Sequence, residues 1–547
     1  MNDGLKKQFF FWFYLVFLTL ALSITNNAFC QSDKNFQLPE VKPQEDKGAA
    51  AIINRIYVRD YVFIGNRAFT REELLELTAE YKNREVSYEE LENLRQKITK
   101  FYVEKGYVNS GAIIPDQKLT DSVVTFQIVE GTLSKIEIRG NKKLKDSYYT
   151  KRLTRSAGPP LNVYEIQKGL QLLQQNPLVK RVNASLNPGI KQGESTLEVE
   201  VDENKAFKYW LTVSNDYSPT IGGYGASANI AHNNLTGHAD ILNVKIGATN
   251  EFGLVDYNAS YDLPINSRDT TISLKARKNE TTVLEAPFED LDIESRSDTF
   301  GLGLTHPIIK TPNTDLKLGL TGELRKSETF LLGRRFSFSE GTEDGQSKIT
   351  VLRLSQEWTR KTQRQVFAAM STFSFGINAI DATINESGPD GRFSDWLGQF
   401  QYVRRLRENN TQLIFKAYCQ LTMEPLLPLE QFSIGGVSTV RGYRLNEIVR
   451  DNGAVASLEL RLPVYSYANA KGLIVLAPFI DYGTGWNTDR DTPEPKNISS
   501  AGLGLRWDIY TNINLQVYAG IPFRNIEHSE ETLQDSGIHF NFTAGGL

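Results

Sequence analysis

Cysteine is nearly absent: Cys30 and Cys419 are the only two in 547 residues. If Cys30 departs with a leader, one thiol remains and no intramolecular disulfide can brace the fold. Histidine is scarce as well. His232, His238, His306, His528 and His539 fall in no His-Glu-x-x-His pattern and lie near no cysteine. Metal-ligand spacing is therefore missing, and no metal or cofactor is expected. There is no Gly-x-Ser-x-Gly elbow and no Walker loop, so nothing points to catalytic residues or an enzyme. The segment Ile221-Gly222-Gly223-Tyr224-Gly225 is glycine-rich, but tight strand packing explains it better than phosphate binding. Blocks of Lys or Arg are missing and the net charge is −4, which argues against a nucleic-acid partner. Beyond Leu22 no apolar run approaches the ~18 residues of a helical membrane span. A mean hydropathy of −0.36 agrees. It does not exclude a β-barrel, whose lipid and lumen faces alternate and average out polar.

What is present starts with a leader. Lys6 and Lys7 precede an apolar run over 9–22 that is shorter than the ~20 residues of a helical span. Ala28 and Cys30 suit positions −3 and −1 of a cut before Gln31. Residues 1–30 are expected to be a secretory signal, and the polar stretch 31–54, with Pro39 and Pro43, a linker.

Residues 55–204 carry an internal repeat. Ile64-Gly65-Asn66 recurs as Arg139-Gly140-Asn141. Each copy follows an alternating strand, over 57–63 and 133–138. Thr70-x-x-Glu73 is a capping-box pattern ahead of Leu74, Leu75 and Leu77. Ser87 caps a second helix over 88–103, with Leu91, Leu94 and Ile98 at helical spacing; its counterpart spans 163–173. Two strands close each copy, over 108–114 with 123–129 and over 179–186 with 197–201. The spacing predicts two modules, 55–131 and 132–204, each strand, helix, helix, strand, strand.

From Lys205 to the end, 205–547, the pattern is strands alone. Val255, Tyr257, Ala259 and Tyr261 alternate with Asp256, Asn258, Ser260 and Asp262. Leu316, Leu318, Leu320 and Leu324 alternate with Lys317, Thr321, Glu323 and Arg325. A soluble sandwich would alternate too. Long strands and the lack of a helix favour a transmembrane barrel. So do connections that switch between short and long. Asp262-Leu263-Pro264-Ile265-Asn266, His306-Pro307, Leu462-Pro463 and Ile521-Pro522 read as short turns; 279–297, 333–348 and 487–497 read as long loops. The length suits about 16 strands. The fold class is α+β modules followed by an all-β barrel.

One segment breaks the strand pattern. Phe432 to Tyr443 is rich in glycine and small residues, and ends in Val440-Arg441-Gly442-Tyr443. Further on, Phe479, Asp481 and Gly483 share one face of a strand-like run. Arg441 can fork two hydrogen bonds to the Asp481 carboxylate. Gly442 allows a turn that other residues resist. Gly483 leaves room for the loop tip, and Phe479 offers an apolar or cation–π surface.

Val440-Arg441-Gly442-Tyr443 resembles the tip motif of the sixth extracellular loop in the Omp85 superfamily, and Phe479-x-Asp481-x-Gly483 its partner motif on a barrel strand. With two repeats that resemble POTRA domains, the chain is similar to the transporters of two-partner secretion, the hemolysin secretion/activation group. The resemblance covers residues 55 to 547. It implies a 16-stranded outer-membrane barrel with periplasmic POTRA modules and the loop folded into the lumen. It implies as partners a secreted exoprotein passenger, outer-membrane lipid and the barrel-assembly machinery. Members of that group often thread an N-terminal helix through the pore; residues 31–54 leave little chain for one. Other readings are a barrel insertase of the same superfamily, a diffusion porin with an appendage, and an extracellular β protein.

Overall fold

The glycine of each repeat marks a sharp turn from strand to helix. In the computed structural model, which describes residues 55–467 and 472–546, Gly65 has φ +93° and Gly140 φ +85°. A Cβ would stand 2.5 Å from the Ile128 carbonyl oxygen at the first and 2.4 Å from that of Val201 at the second. Both positions therefore demand glycine. Asn66 and Asn141 close the turns by donating to the carbonyls of Phe69 (3.0 Å) and Leu144 (2.9 Å). Glu130 accepts from the amides of Arg67 and Ala68, both at 2.7 Å. Glu203 does the same for Lys142 (3.0 Å) and Lys143 (2.7 Å). The sequence repeat is thus one hydrogen-bonded turn used twice. The expected signal and linker, 1–30 and 31–54, lie outside the described residues.

The first module runs β1 (Ile56–Val58), β2 (Asp60–Ile64), helix α1 (Arg71–Glu76), β3 (Arg84–Val86), α2 (Tyr88–Glu104), β4 (Gly111–Ile113) and β5 (Val123–Val129). The second runs β6 (Thr132–Arg139), α3 (Asp146–Ala157), α4 (Val163–Gln174), β7 (Val179–Pro188) and β8 (Glu194–Glu203). Each folds a three-stranded mixed sheet, β2-β5-β4 and β6-β8-β7, with its first strand parallel to its last. Thr70 and Ser87 make complete capping boxes with Glu73 and Glu90. Leu91, Leu94 and Ile98 of α2 are buried with Tyr61 and Phe126. The expected strand over 57–63 breaks at Arg59, because β1 leaves the sheet to pair with β3. The expected strand over 108–114 shortens to β4.

The barrel strands are β9 (Phe207–Ser214), β10 (Gly225–His232), β11 (Ile241–Thr249), β12 (Leu254–Pro264), β13 (Thr271–Thr282), β14 (Glu294–Lys310) and β15 (Thr314–Leu331). A two-residue strand β16 (Arg334–Arg335) lies in the following loop. Then come β17 (Gln346–Lys361), β18 (Gln365–Ile377), β19 (Ser394–Arg405) and β20 (Gln412–Thr422). The next loop holds β21 (Phe432–Ile434) and β22 (Ile448–Arg450). The wall resumes with β23 (Asn452–Tyr467), β24 (Gly472–Trp486), β25 (Asn497–Tyr510), β26 (Ile513–Pro522) and β27 (Ile538–Gly546). Neighbours pair antiparallel, and β27 pairs with β9 to close the ring. Leaving out the short loop strands, sixteen strands make the wall, as expected from the length. Alternation sets the faces: on β24, Ile480 and Tyr482 are about half exposed outside, while Phe479 and Asp481 are buried inside.

Two proline pairs read as turns are not turns. His306-Pro307 lies within β14 and Leu462-Pro463 within β23, each at a register shift. Proline donates no ladder hydrogen bond, and a bulge is where a strand tolerates that. Ile521-Pro522 ends β26 and opens a long loop, 523–537, rather than a short turn. The glycine-rich 221–225 segment is also more than strand packing. Gly222, at φ +93°, turns the β9–β10 loop; only Gly225 lies in a strand, against the Ala248 carbonyl.

The second module is fastened to three short turns at one end of the barrel. The Lys145 amide donates to Gly237 O (3.1 Å), Asn234 to Lys143 O (2.8 Å) and Gln175 to Pro312 O (2.9 Å). Arg152, stacked 3.8 Å over the Tyr148 ring, pairs with Asp269, which also takes Lys310 at 2.5 Å.

Candidate functional site

The connection between β20 and β23, residues 423–451, folds into the barrel. Glycines let it do so: Gly435, Gly436 and Gly442 have φ of +114°, +84° and +89°. β21 and β22 pair as a hairpin stem. Its apolar side chains, Phe432, Ile434, Val440, Tyr443 and Ile448, bury against Val455 and Ile498 of the wall. A Cβ on Gly483 would stand 2.4 Å from Ile434 Cγ2 and 3.0 Å from Val440 Cγ2, so the tip fits only a bare wall there.

Arg441 is the centre of the arrangement. Its Nε and Nη2 donate to the two Asp481 oxygens at 2.8 Å each, and its backbone amide donates to Oδ2 at 3.1 Å. Nη2 also reaches Ser457 Oγ (3.1 Å), and Nη1 pairs with Glu459. The guanidinium carbon lies 3.7 Å over the Phe479 ring and 4.9 Å from that of Tyr518. Arg441 is 5 % exposed and Asp481 1 %. Charges so far from water persist only when paired and hydrogen-bonded. The structure thus brings Arg441 together with Phe479 and Asp481, and Val440 against Gly483.

The flanking residues are fixed as well. The Gly442 amide donates to His539 Nε2 at 3.0 Å, and a Cβ on Gly442 would stand 3.1 Å from the Gly520 backbone. The Tyr443 hydroxyl reaches the carbonyls of Ser499 (3.0 Å) and Arg524 (3.1 Å). The loop tip is tied to the walls formed by β23 to β27.

Several partners were not picked out from the sequence. Glu459, Ser457 and His539 complete the tip. Glu430, at the foot of the loop, takes Arg325 (2.7 Å) from β15 and Arg353 (2.8 Å) from β17. Asp451, fully buried, accepts from Leu426 N (3.1 Å), Thr488 N (3.0 Å) and Arg490 (2.6 Å). Arg444 pairs with Asp535 (2.6 Å) and Glu285 (2.5 Å) of two other loops. Arg325 and Glu323 did stand out as polar-face residues; their alternation was the available signal.

A family model described as haemolysin secretion/activation protein ShlB/FhaC/HecB matches residues 193–507, more than half of the chain. The chain belongs to this family. A model of the ShlB-type POTRA domain matches 56–131. Curated relatives include the heme/hemopexin transporter protein HuxB of Haemophilus influenzae, 24 % identical over 85 % of this chain and 83 % of that one. The outer membrane transporter CdiB of Dickeya dadantii is 24 % identical over 82 % and 79 %. The solved structure of CdiB from Escherichia coli shares the fold, with a TM-score of 0.70, 20 % identity and coverage of 92 % and 93 %. This member of the ShlB/FhaC/HecB family is a two-partner secretion transporter rather than an enzyme. Its barrel lies in the outer membrane, its POTRA modules lie in the periplasm, and it exports a partner exoprotein.

Proposed function

We propose that the two modules receive the partner exoprotein as an extended chain and that the loop over 423–451 is the gate it must displace in the lumen. The observation that carries the reading is the buried Arg441 latch. It combines an ion-paired guanidinium with two aromatic faces, which a simple open pore has no use for. The modules offer sheet edges for an unfolded chain: β7 is ten residues long and pairs only with β8 among the described residues. No nucleotide-binding motif occurs, so folding of the passenger outside the cell supplies the drive. The barrel-assembly machinery inserts the wall, whose outward residues meet outer-membrane lipid. The experiment is Arg441→Ala with the cognate exoprotein co-expressed. Secretion drops while the barrel keeps its heat-modifiable gel mobility. Full secretion at normal protein level would overturn the gate.

A further inference from the structure

Where the second module meets the first barrel hairpin there is a cavity of about 570 Å³. Lys143, Lys145 and Lys205 line it together with His232, Phe207 and Leu235, and none of its lining residues is acidic. Two carboxylates, Glu203 and Asp240, lie behind its wall and are occupied by backbone amides. Glu203 is taken up by the 142–144 amides and the Tyr149 hydroxyl. Asp240 accepts from the amides of Leu235 (3.0 Å) and Thr236 (2.9 Å). Three lysines against these two carboxylates leave the cavity mouth with an excess of positive charge.

The place matters as much as the charge. Phe207 and His232 are directly opposite in the β9–β10 ladder, at the end of the barrel that carries the modules. Phe207, Tyr209 and Leu211 alternate with lumen residues and are 47 %, 50 % and 58 % exposed on the outer face. Leu235 adds a further exposed apolar side chain. The cavity is thus lined by lysines on the module side and opens beside apolar side chains on the outer face of the barrel. The stem of Lys145 lies on Gly237, where even a Cβ would come within 3.0 Å of Lys145 Cγ. Lys143 Nζ spends one hydrogen on Asn204 O (2.6 Å), leaving two for a ligand.

We propose that this junction binds the phosphate of an anionic phospholipid, with acyl chains running up along Phe207 and Tyr209. Phosphate is the chemistry that clustered ammonium groups recognise. The exposed apolar strip beside them fits a lipid and gives nothing to a free phosphate ion. Because module and barrel both supply lysines, a bound headgroup would also bridge them.

The test uses the full chain in zwitterionic micelles, titrated with phosphatidylglycerol, phosphatidylcholine or inorganic phosphate and read by native mass spectrometry. Phosphatidylglycerol binds the wild-type chain more tightly than phosphatidylcholine. Replacing the cluster (Lys143→Gln, Lys145→Gln, Lys205→Gln) weakens it on the order of 100-fold, at about 5-fold per lysine. Heat-modifiable mobility checks that the barrel is intact. Should the triple variant not fold, Lys145→Gln alone decides, with a loss of about 5-fold. Equal phosphatidylglycerol binding in variant and wild type overturns the site. Displacement of the lipid by an equal concentration of inorganic phosphate makes it a phosphate-ion site and overturns the lipid.

Discussion

Asp481→Ala is the sharpest test of the latch. Asp481 accepts from the Arg441 amide, Nε and Nη2, so the substitution removes three hydrogen bonds at once. Removing one partner of a buried ion pair costs about 3–5 kcal/mol. Arg441 keeps Glu459 and Ser457, which places this case at the lower end, about 3 kcal/mol. At ~1.4 kcal/mol per decade, the latched state loses about 150-fold against the released one. Hydrogen exchange on the full chain in micelles reads this directly. Peptides over 438–444 should exchange on the order of 100-fold faster, while α2 in the first module stays unchanged. Asp481→Asn keeps the shape and loses the charge, and should fall between. Acceleration under about 3-fold in the alanine variant would refute the reasoning, because the tip would then be held by apolar packing alone.

Ser87→Ala removes one half of the capping box of α2 and should cost the first module about 1 kcal/mol, seen as faster exchange of the 88–104 amides; an unchanged rate would contradict it. The clasp between the second module and the barrel should be insensitive to pH across the neutral range. Burial pushes the Asp269 carboxyl up, but Arg152 and Lys310 outweigh it and hold it below the usual carboxylate range. A lowered value in the docked state means that its contribution is complete above the free value of about 3.9 and fades only as pH falls through the docked one. Spin-label distances between module and turn should stay fixed from about pH 8 to 5 and broaden in Asp269→Asn; broadening of the wild type within that window would contradict the sign.

The repeat was legible because its cause is local. Gly65 and Gly140 are forced by a carbonyl of their own module, and Thr70 and Ser87 act on amides three residues away. The barrel was legible because alternation has a fixed period. Proline misled the reading of turns: a missing N–H is tolerated at a bulge as well as at a turn, and residues alone do not distinguish the two at His306-Pro307 or Leu462-Pro463.

The ion pairs of the loop were visible in the sequence only in part, and the reason is distance along the chain. Arg441 and Asp481 lie 40 residues apart, one wall strand intervening, and carry recognisable motifs. Glu430 finds Arg325 and Arg353 across 105 and 77 residues, and the Gly442 amide finds His539 across 97. Such pairs depend on how sixteen strands close, which no local pattern encodes. They also divide the loop mechanically. Glu430 and Asp451 hold its foot to β15, β17 and the loop after β24, whereas Arg441 holds its tip to β23 and β24. Cutting the tip pair leaves the foot pairs intact, because they share no atom with it. A variant at Asp481 should therefore free the tip about an anchored base, and full exit of the loop from the lumen requires the second set of ion pairs to break as well.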